Sequence, residues 1–379
     1  MELTRGQEQG LKIAVDRYKS HEPYTCIAGY AGTDKTTLAK YIVDALNIPE
    51  EQVANIAYTG KASLVLKNKG LPNCMTAHKL LYHAKELPDG SYEFIPRKFL
   101  EYNFKLIIVD EVSMLPEDMW NLLLSHRVHI VALGDPEQLP PVDGISTILD
   151  NPHIFLDEIV RQALDNPIIK LSMDIREGKP FIYGGPKEAR IMPYSKVSKG
   201  LLLGADIVIC GLNTTRHALN QRMREMKWGD GYQDKPIDGD KVICLKNQWS
   251  TLSDTADSLI NGAIGTLNGV KIKNNQKLGT KMTANFISDS NGTFDKLNMD
   301  YKLITTGEPL INKDNFRQFT KKERPMEFSY GYAITCHKSQ GSEFDRVLVY
   351  DEPFGDSEMR RRWRYSAITR ASKQLVIIT

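Results

Sequence analysis

The sequence predicts an α/β protein in which helices flank parallel sheets. Residues 24–46 run from a short β-prone segment through a glycine-containing loop into a helical pattern with one apolar face. Residues 105–109 form an apolar strand pattern that ends in two acids, and another strand pattern, at 206–210, precedes a helical one. Strands that alternate with helices in this way are typical of parallel sheets.

Length and composition indicate a soluble globular protein. The chain has 379 residues, enough for two or three domains, with 41% hydrophobic and 25% charged residues. It has no apolar run of membrane-spanning length and no signal-peptide pattern, and its five dispersed cysteines indicate reduced thiols and a cytoplasmic setting. Because the net charge is only +2, a nucleic-acid site would have to be a local groove.

The loop at 29–37, with the sequence GYAGTDKTT, has the pattern of a phosphate-binding loop. Its backbone N–H groups and the helix N-terminus would cradle a polyphosphate, while Lys35 reaches the β- and γ-phosphates and the Thr36 hydroxyl binds Mg²⁺. Asp34 stands where the pattern requires glycine; aspartate tolerates left-handed backbone, but its charge would lie near the triphosphate. An ordinary turn before a helix is the simpler alternative. The predicted nucleotide contacts of the loop are Gly29, Gly32, Thr33, Asp34, Lys35, Thr36 and Thr37.

Two further strand ends carry residues that act on phosphates in such sites. Strand 105–109 is followed by Asp110, which would hold Mg²⁺, and by Glu111, which would orient and deprotonate the attacking water. Strand 129–133 is followed by GDPEQLPPV, in which Gln138 would contact the γ-phosphate or the water. A proline-rich turn is the simpler interpretation of that segment, but it does not require Gln138.

Four other side chains are candidates for the nucleotide. Residues 4–7 open the first helix with a capping-box pattern, and the amide of Gln7 would also suit the edge of an adenine base. Arg161 and Arg370 would each bring positive charge to the γ-phosphate. Glu343 would accept a hydrogen bond from a ribose hydroxyl.

Hydroxyl and basic side chains near several strand ends would suit a nucleic-acid backbone. Those among residues 59–79 are also explained as helix caps or a solvated lysine. The predicted DNA contacts are Thr59, Lys61, Thr76, His78, Lys79, Thr335, His337 and Lys338.

Two inserted segments break the alternation of strands and helices, and one further helix lies between them. A turn signal at 88–90 inside residues 84–98 predicts a short β-hairpin, whose aromatics would stack on bases or pack on their own domain. Residues 164–177 predict one helix. Residues 228–325 are rich in Asn, Gly, Asp and Lys, with β-prone runs between turn signals, which predicts a small inserted β-barrel.

In order and spacing, eight motifs resemble those of the superfamily 1 DNA helicases, most closely the RecD/Dda-like branch, whose members move 5′→3′. The motifs are GYAGTDKTT, TGKA, TAHKL, IIVDE, GDPEQLPPV, LDEIVRQ, YAITCHKSQGSEFD and YSAITRA. The resemblance implies two RecA-like lobes with ATP between them. It makes residues 1–150 the first lobe, with the hairpin inserted at about 84–98. It makes residues 151–227 and 326–379 the second, with an SH3-like β-barrel inserted at 228–325.

The resemblance implies an ATP-dependent DNA helicase that needs ATP and Mg²⁺, moves 5′→3′ on single-stranded DNA and unwinds duplex. The resemblance assigns to each candidate residue the role that the preceding paragraphs suggest for it. It also implies that Arg161 and Arg370 both come from the second lobe. The expected partners are single-stranded DNA, duplex junctions and replication or recombination proteins. We expect a monomer without a membrane contact, in the cytoplasm of a bacterium or, if phage-encoded, of the host cell.

Two rival functions fit parts of the sequence. The first is a single-stranded DNA-binding helicase homologue whose ATPase is impaired by Asp34. The second is a small-molecule kinase with a phosphate loop, which leaves the second α/β unit and the paired arginines unexplained.

Overall fold

The structure, a computed structural model, divides the chain into two compact units. The described residues are 3–87, 92–140, 147–229, 235–247, 259–275, 279–290, 292–312, 315, 319–320 and 323–379. Unit 1 consists of residues 1–83, 96–197 and 339–379, and unit 2 of residues 84–95 and 198–338. This division differs from the boundaries predicted near 150, 227 and 325, and the arrangement as two lobes with insertions stays a prediction.

Strands and helices alternate through most of unit 1. The strands of the chain are β1 (Tyr24–Gly29), β2 (Val53–Ala57), β3 (Cys74–Thr76), β4 (Tyr82–Glu86), β5 (Tyr92–Pro96), β6 (Leu106–Asp110), β7 (His129–Gly134), β8 (Ile154–Leu156), β9 (Ala189–Met192), β10 (Ile207–Cys210), β11 (Lys241–Cys244), β12 (Ile264–Asn275), β13 (Gly279–Ser288), β14 (Thr293–Met299), β15 (Phe328–Tyr330), β16 (Ala333–Thr335), β17 (Phe344–Tyr350) and β18 (Ala371–Ile378). The helices are α1 (Arg5–Lys19), α2 (Lys35–Leu46), α3 (Gly60–Asn68), α4 (Ala77–Leu81), α5 (Glu117–Ser125), α6 (Arg161–Leu164), α7 (Pro167–Arg176), α8 (Lys199–Gly204), α9 (Asn213–Trp228), α10 (Tyr301–Thr306), α11 (Cys336–Ser339) and α12 (Ser357–Ile368).

A six-stranded parallel sheet organises unit 1, in the order β3-β2-β6-β7-β1-β8. Side chains of β6 alternate between its two faces. Ile107 and Val109 pack into a core with residues of α4 and α5, whereas Leu106 and Ile108 pack with residues of α1 and α2. Helices therefore cover both faces, which leaves the strand ends as the place for polar side chains.

The carboxyl ends of β1, β6 and β7 lie at one edge of this sheet. Asp110 at the end of β6 is in register with Ala57, and Gly134 at the end of β7 is in register with Ala28. Ligands of open α/β sheets bind outside the carboxyl ends of the strands. The phosphate loop, the two acids and the segment with Gln138 leave the sheet at this edge.

Unit 1 also contains a parallel sheet in which β18 lies between β17 and β9. The helix predicted at 164–177 is confirmed over Pro167–Arg176 as α7, but its predicted start is wrong, because the short helix α6 ends at Leu164 and α7 begins at Pro167. Proline lacks an N–H and favours the first helical position, and the Asn166 side chain caps the new helix by accepting from the Ile168 N–H at 2.9 Å.

Unit 2 combines a parallel pair, β10 with β16, and an antiparallel sheet in the order β14-β13-β12-β11-β15. The antiparallel sheet includes the β-prone runs of the predicted inserted barrel. Elsewhere β4 and β5 form a two-stranded sheet, but the predicted turn at 88–90 lies outside the described residues. Within the described ranges, none of the helices is long and apolar enough to cross a membrane.

Candidate functional site

The phosphate loop lies between the end of β1 at Gly29 and the start of α2 at Lys35. The Lys35 ammonium is folded back over the loop, where Nζ donates to the carbonyl oxygens of Gly29 at 2.7 Å and Tyr30 at 3.1 Å. The buried Thr33 hydroxyl donates to the same Tyr30 oxygen at 2.8 Å. These contacts hold the loop as a closed turn at the helix N-terminus, the geometry that anion binding requires.

Asp34 occupies the left-handed region, with φ 54° and ψ 49°. This is the conformation for which glycine is expected, and aspartate tolerates it better than most residues do. The carboxylate makes no capping hydrogen bond to α2. The turn therefore forms with aspartate in the glycine position, and the carboxylate does not compensate by capping the helix.

Gln7 packs beside the phosphate loop. Its backbone N–H donates to Thr4 Oγ1 at 3.2 Å, and its Oε1 accepts from the Thr4 N–H at 2.9 Å, which confirms the capping box. Its Nε2 donates to the Thr33 carbonyl oxygen at 3.1 Å. The buried side chain thus ties α1 to the loop, and its role at adenine stays a prediction.

The two predicted acids lie at the carboxyl edge of the sheet. Glu111 adopts φ 52° and its N–H donates to Asp110 Oδ1 at 3.0 Å. Burial and the neighbouring Glu111 carboxylate raise the pKa of Asp110 to about 6, while the nearby Lys35 charge lowers it. The charge of Asp110 is therefore expensive without cationic partners, which suits a carboxylate that faces a metal ion and a lysine.

Arg370 is buried between the end of α12 and the start of β18. Its Nε donates to the Ser366 carbonyl oxygen at 3.1 Å, and its Nη1 lies 3.5 Å from Glu111 Oε1. A buried guanidinium needs an anionic partner, and Glu111 provides it. Lys35, Asp110, Glu111 and Arg370 are thus linked by charge interactions into one cluster.

Gln138 follows the end of β7 and is buried. Its Oε1 has no hydrogen-bond partner among the described residues. Its neighbour Leu139 is fixed, because the Leu139 N–H donates to Ser366 Oγ at 2.7 Å and its carbonyl oxygen accepts from Gln340 Nε2 at 2.9 Å. A buried amide with an open acceptor suits a ligand or a water, since such groups are rarely left unpaired.

Three other predicted nucleotide residues lie in or next to helices and strands. Thr37 is half-buried in the first turn of α2, and Glu343 is exposed just before β17. Arg161 begins α6, but its side chain lies outside the described part of the structure, as do Pro141 and Val142 of the Gln138 motif.

Sequence reasoning missed a tyrosine in this cluster. The Tyr365 hydroxyl accepts from the Ala31 N–H at 2.8 Å and donates to Asp135 Oδ2 at 2.7 Å. Tyr365 and Asp135 belong to the motifs YSAITRA and GDPEQLPPV. The sequence places both residues in motifs of the same predicted site, which is the one indication of the contact. Their positions in the sequence do not indicate that the two side chains touch.

The predicted DNA contacts of unit 1 lie around α3 and α4. Thr59 and Thr76 cap these helices by accepting from the N–H of the third residue that follows, at 3.2 Å in each case, which confirms the simpler interpretation of both hydroxyls. The Lys61 ammonium lies 4.2 Å from the centre of the Phe344 ring. Gly341 approaches the start of α3 so closely that an added Cβ would lie 2.6 Å from Ala62 Cβ.

The basic side chains among these contacts are mostly half-buried. His78 lies between the rings of Tyr58 and Tyr82, with centroids at 5.6 and 5.9 Å, and burial lowers its pKa. Lys79 is half-buried in the same helix. In unit 2, Thr335 is buried at the end of β16, burial lowers the pKa of His337, and Lys338 is exposed. DNA binding by this set stays a prediction.

Comparisons with known proteins agree with the motifs. The family model described as an AAA domain matches residues 2–184, and the UvrD-like helicase C-terminal domain matches residues 330–378. The ATP-dependent RecD2 DNA helicase of Deinococcus radiodurans is 26% identical over 97% of this chain and 48% of its own length. The ATP-dependent DNA helicase dda of Enterobacteria phage T4 is 28% identical over 47% of this chain and 43% of its own length. The chain spans about half the length of these curated relatives.

A solved structure shows the same fold. Bacteroides Pif1 bound to single-stranded DNA superposes with a TM-score of 0.57 at 19% identity, over 100% of this chain and 92% of that one. At this identity the likeness shows the fold alone, a mixed α/β architecture with parallel sheets. Together with the eight motifs, the family models and the relatives support a superfamily 1 helicase of the RecD/Dda-like branch.

Proposed function

We propose that this chain is an ATP-dependent DNA helicase that moves 5′→3′ along single-stranded DNA and separates duplex. The observation that carries the proposal is the contact of Arg370 with Glu111 beside the phosphate loop. It joins an arginine predicted to act on the γ-phosphate to the acid predicted to activate water. Such a pair serves phosphoryl transfer, and the names of the relatives describe ATP-dependent DNA helicases.

ATP would bind at the carboxyl edge of the six-stranded sheet. Gln7 would contact adenine, Glu343 the ribose, and the N–H groups of the loop the phosphates. The Lys35 ammonium would exchange two carbonyl acceptors for the more strongly charged phosphate oxygens. The Thr33 and Thr37 hydroxyls would complete the cradle.

Mg²⁺ would be held by the Thr36 hydroxyl and the Asp110 carboxylate. Both are oxygen donors of the kind Mg²⁺ prefers, and the bound ion would neutralise charge on the phosphate oxygens. Among the described residues, no group of three or more His, Cys, Asp or Glu side chains is arranged to hold a metal ion. Mg²⁺ at a nucleotide needs only one or two protein ligands, because phosphate oxygens and water complete its shell.

In hydrolysis, Glu111 would accept a proton from the attacking water. The Gln138 side-chain amide, whose Oε1 has no hydrogen-bond partner among the described residues, would contact the γ-phosphate or that water. Arg370 and Arg161 would stabilise the negative charge that develops on the transferring group. Loss of the γ-phosphate would return Arg370 to Glu111. Each cycle would therefore break and then restore the contact between Arg370, after the end of α12, and Glu111, after the end of β6.

DNA would be held by two sets of side chains, around α3 and α4 and around β16. Alternating grip by these sets would turn each ATP cycle into a step along the strand, with the β4–β5 strands as a wedge at the duplex. The proposal includes two RecA-like lobes, an SH3-like insertion, and a monomer that acts at duplex junctions in the cytoplasm with replication or recombination proteins.

A single-strand binder with a silenced ATPase is less favoured. Its basis is Asp34, yet the turn at Asp34 forms and Lys35 lies in the loop. The contact of Glu111 with Arg370 is also in place.

The proposal is tested by ATP hydrolysis with and without single-stranded DNA, and by displacement of strands from duplexes with a 5′ or a 3′ tail. We expect DNA-stimulated hydrolysis and unwinding of the 5′-tailed duplex alone. Hydrolysis that does not respond to DNA would reject the helicase, and unwinding from the 3′ tail would reject the polarity. DNA binding without hydrolysis would favour the silenced binder.

A further inference from the structure

Tyr365 lies on α12 and its side chain is buried. The Ala31 N–H can only donate, so at 2.8 Å the phenol oxygen accepts from it. The single phenol proton is then available for Asp135 Oδ2, at 2.7 Å. One hydroxyl therefore bridges the backbone of the phosphate loop and a carboxylate at the end of β7.

Asp135 carries this link to Gln138. Its Oδ1 accepts from the Glu137 N–H at 3.0 Å, and its carbonyl oxygen accepts from the Gln138 N–H at 3.3 Å. The carboxylate is buried, which raises its pKa, while the Lys35 charge and the Tyr365 hydrogen bond lower it. Asp135 thus closes the turn that presents Gln138.

The other end of this turn is held by the next residue of α12. Ser366 Oγ accepts from the Leu139 N–H at 2.7 Å. Two consecutive residues of one helix therefore fix residues 135 and 139, on either side of Gln138. The same Ser366 offers its carbonyl oxygen to Arg370 Nε at 3.1 Å.

We propose that Tyr365 is a positioning residue whose hydroxyl couples the phosphate loop to the turn at 135–138, and thereby sets Gln138 for its role at the γ-phosphate. The role of Gln138 rests on the proposed function; the coupling itself does not. A change in the loop backbone at Ala31 is transmitted through the hydroxyl to Asp135 and so to Gln138. The ring fills the core, but only the hydroxyl makes the link.

The test is Tyr365→Phe, which keeps the ring and removes the hydroxyl. Tyr332→Phe is a matched control, because Tyr332 is also buried and its hydroxyl donates to Asp240 Oδ1 at 3.0 Å within unit 2. With saturating single-stranded DNA, we expect Tyr365→Phe to lower kcat about tenfold and to change the KM for ATP less than about twofold. Tyr332→Phe should leave both unchanged. A rise in KM alone, or an equal loss in the control, would overturn the proposal.

A double mutant distinguishes a positioning role from a general disturbance of packing. If Tyr365 acts through Gln138, Tyr365→Phe should cause no further loss of kcat in a Gln138→Ala chain. An equal loss in both backgrounds would contradict the coupling.

Amide hydrogen exchange provides a readout that does not need hydrolysis. We expect the peptides covering residues 28–34 and 134–140 to exchange faster in Tyr365→Phe than in the unmodified chain, and not in Tyr332→Phe. If the unmodified chain shows no DNA-stimulated hydrolysis, the proposed function fails, and the exchange still decides the coupling. Unchanged exchange in both peptides would reject it.

Discussion

Arg370 Nη1 lies 3.5 Å from Glu111 Oε1, and the two residues reach this contact from different sheets of unit 1. The Arg370 side chain is 5% exposed, so its charge depends on an internal partner. A γ-phosphate is a stronger acceptor than one carboxylate and would draw the guanidinium away. Glu111 would then be released toward the attacking water. Under the proposed function, this exchange of partners would link phosphate binding to activation of the base.

Arg370→Ala removes the guanidinium from this exchange. We expect the kcat of DNA-stimulated ATP hydrolysis to fall by a factor of about 10³, as for other arginines that act on a transferring phosphate. Arg362→Ala is the control, because Arg362 lies on the preceding helix and pairs with Glu358 in an exposed ion pair of little energetic value. Steady-state hydrolysis measures both variants. Similar losses in the two would mean that positive charge on α12, rather than Arg370, is what matters.

Glu111→Gln keeps the size of the side chain and removes the base. We expect kcat to fall by about 10²–10⁴ while single-stranded DNA binding, measured by fluorescence anisotropy, is retained. Glu117→Gln changes an exposed acid in the first turn of α5 and should have no effect on hydrolysis. A Glu111→Gln chain that still hydrolyses ATP at the original rate would show that another group takes the proton.

The strand, loop and helix around Lys35 could be predicted from sequence because the pattern that indicates them is local. A β-prone run, the loop and an apolar helix face are adjacent, so the pattern at 24–46 predicted both β1 and α2. The Tyr365–Asp135 contact could not be predicted, since it joins residues 230 positions apart through a single hydroxyl. The break before Pro167 was missed because the apolar spacing of the helix continues across it.

Asp34 should weaken nucleotide binding through its charge and its backbone. Asp34→Gly removes both the carboxylate and the cost of left-handed backbone, which is roughly 1–2 kcal/mol for most residues with a Cβ and smaller for aspartate. Asp34→Asn removes only the charge, because asparagine also tolerates this conformation. If the charge dominates, both variants should lower the KM for ATP several-fold, and by similar factors.

The two Asp34 variants are compared by nucleotide affinity and by urea unfolding. A KM that falls only in Asp34→Gly, together with a higher unfolding midpoint, would assign the effect to the backbone. The Asp34 carboxylate makes no capping hydrogen bond to α2. An unchanged KM in both variants would show that this carboxylate does not disturb the bound phosphates.

Lys61 lies over the Phe344 ring, with its ammonium 4.2 Å from the ring centre. The ring face attracts the cation and limits the positions that the flexible side chain can take. We therefore expect Lys61→Ala to weaken single-stranded DNA binding severalfold. The slope of the logarithm of the binding constant against the logarithm of the salt concentration should fall in magnitude by about the amount expected for one lost phosphate contact. Lys67→Ala, at the exposed other end of α3, should change the slope less.

Phe344→Leu removes the aromatic ring that contacts the Lys61 ammonium and keeps the ammonium itself. The ammonium stays but loses the ring face, so we expect weaker DNA binding with an unchanged salt slope, because the number of neutralised phosphates is the same. Titrations of labelled oligonucleotide at several salt concentrations measure both quantities. If Lys61→Ala and Lys67→Ala shift the slope equally, α3 contributes only diffuse positive charge, and the contact with Phe344 has no part in DNA binding.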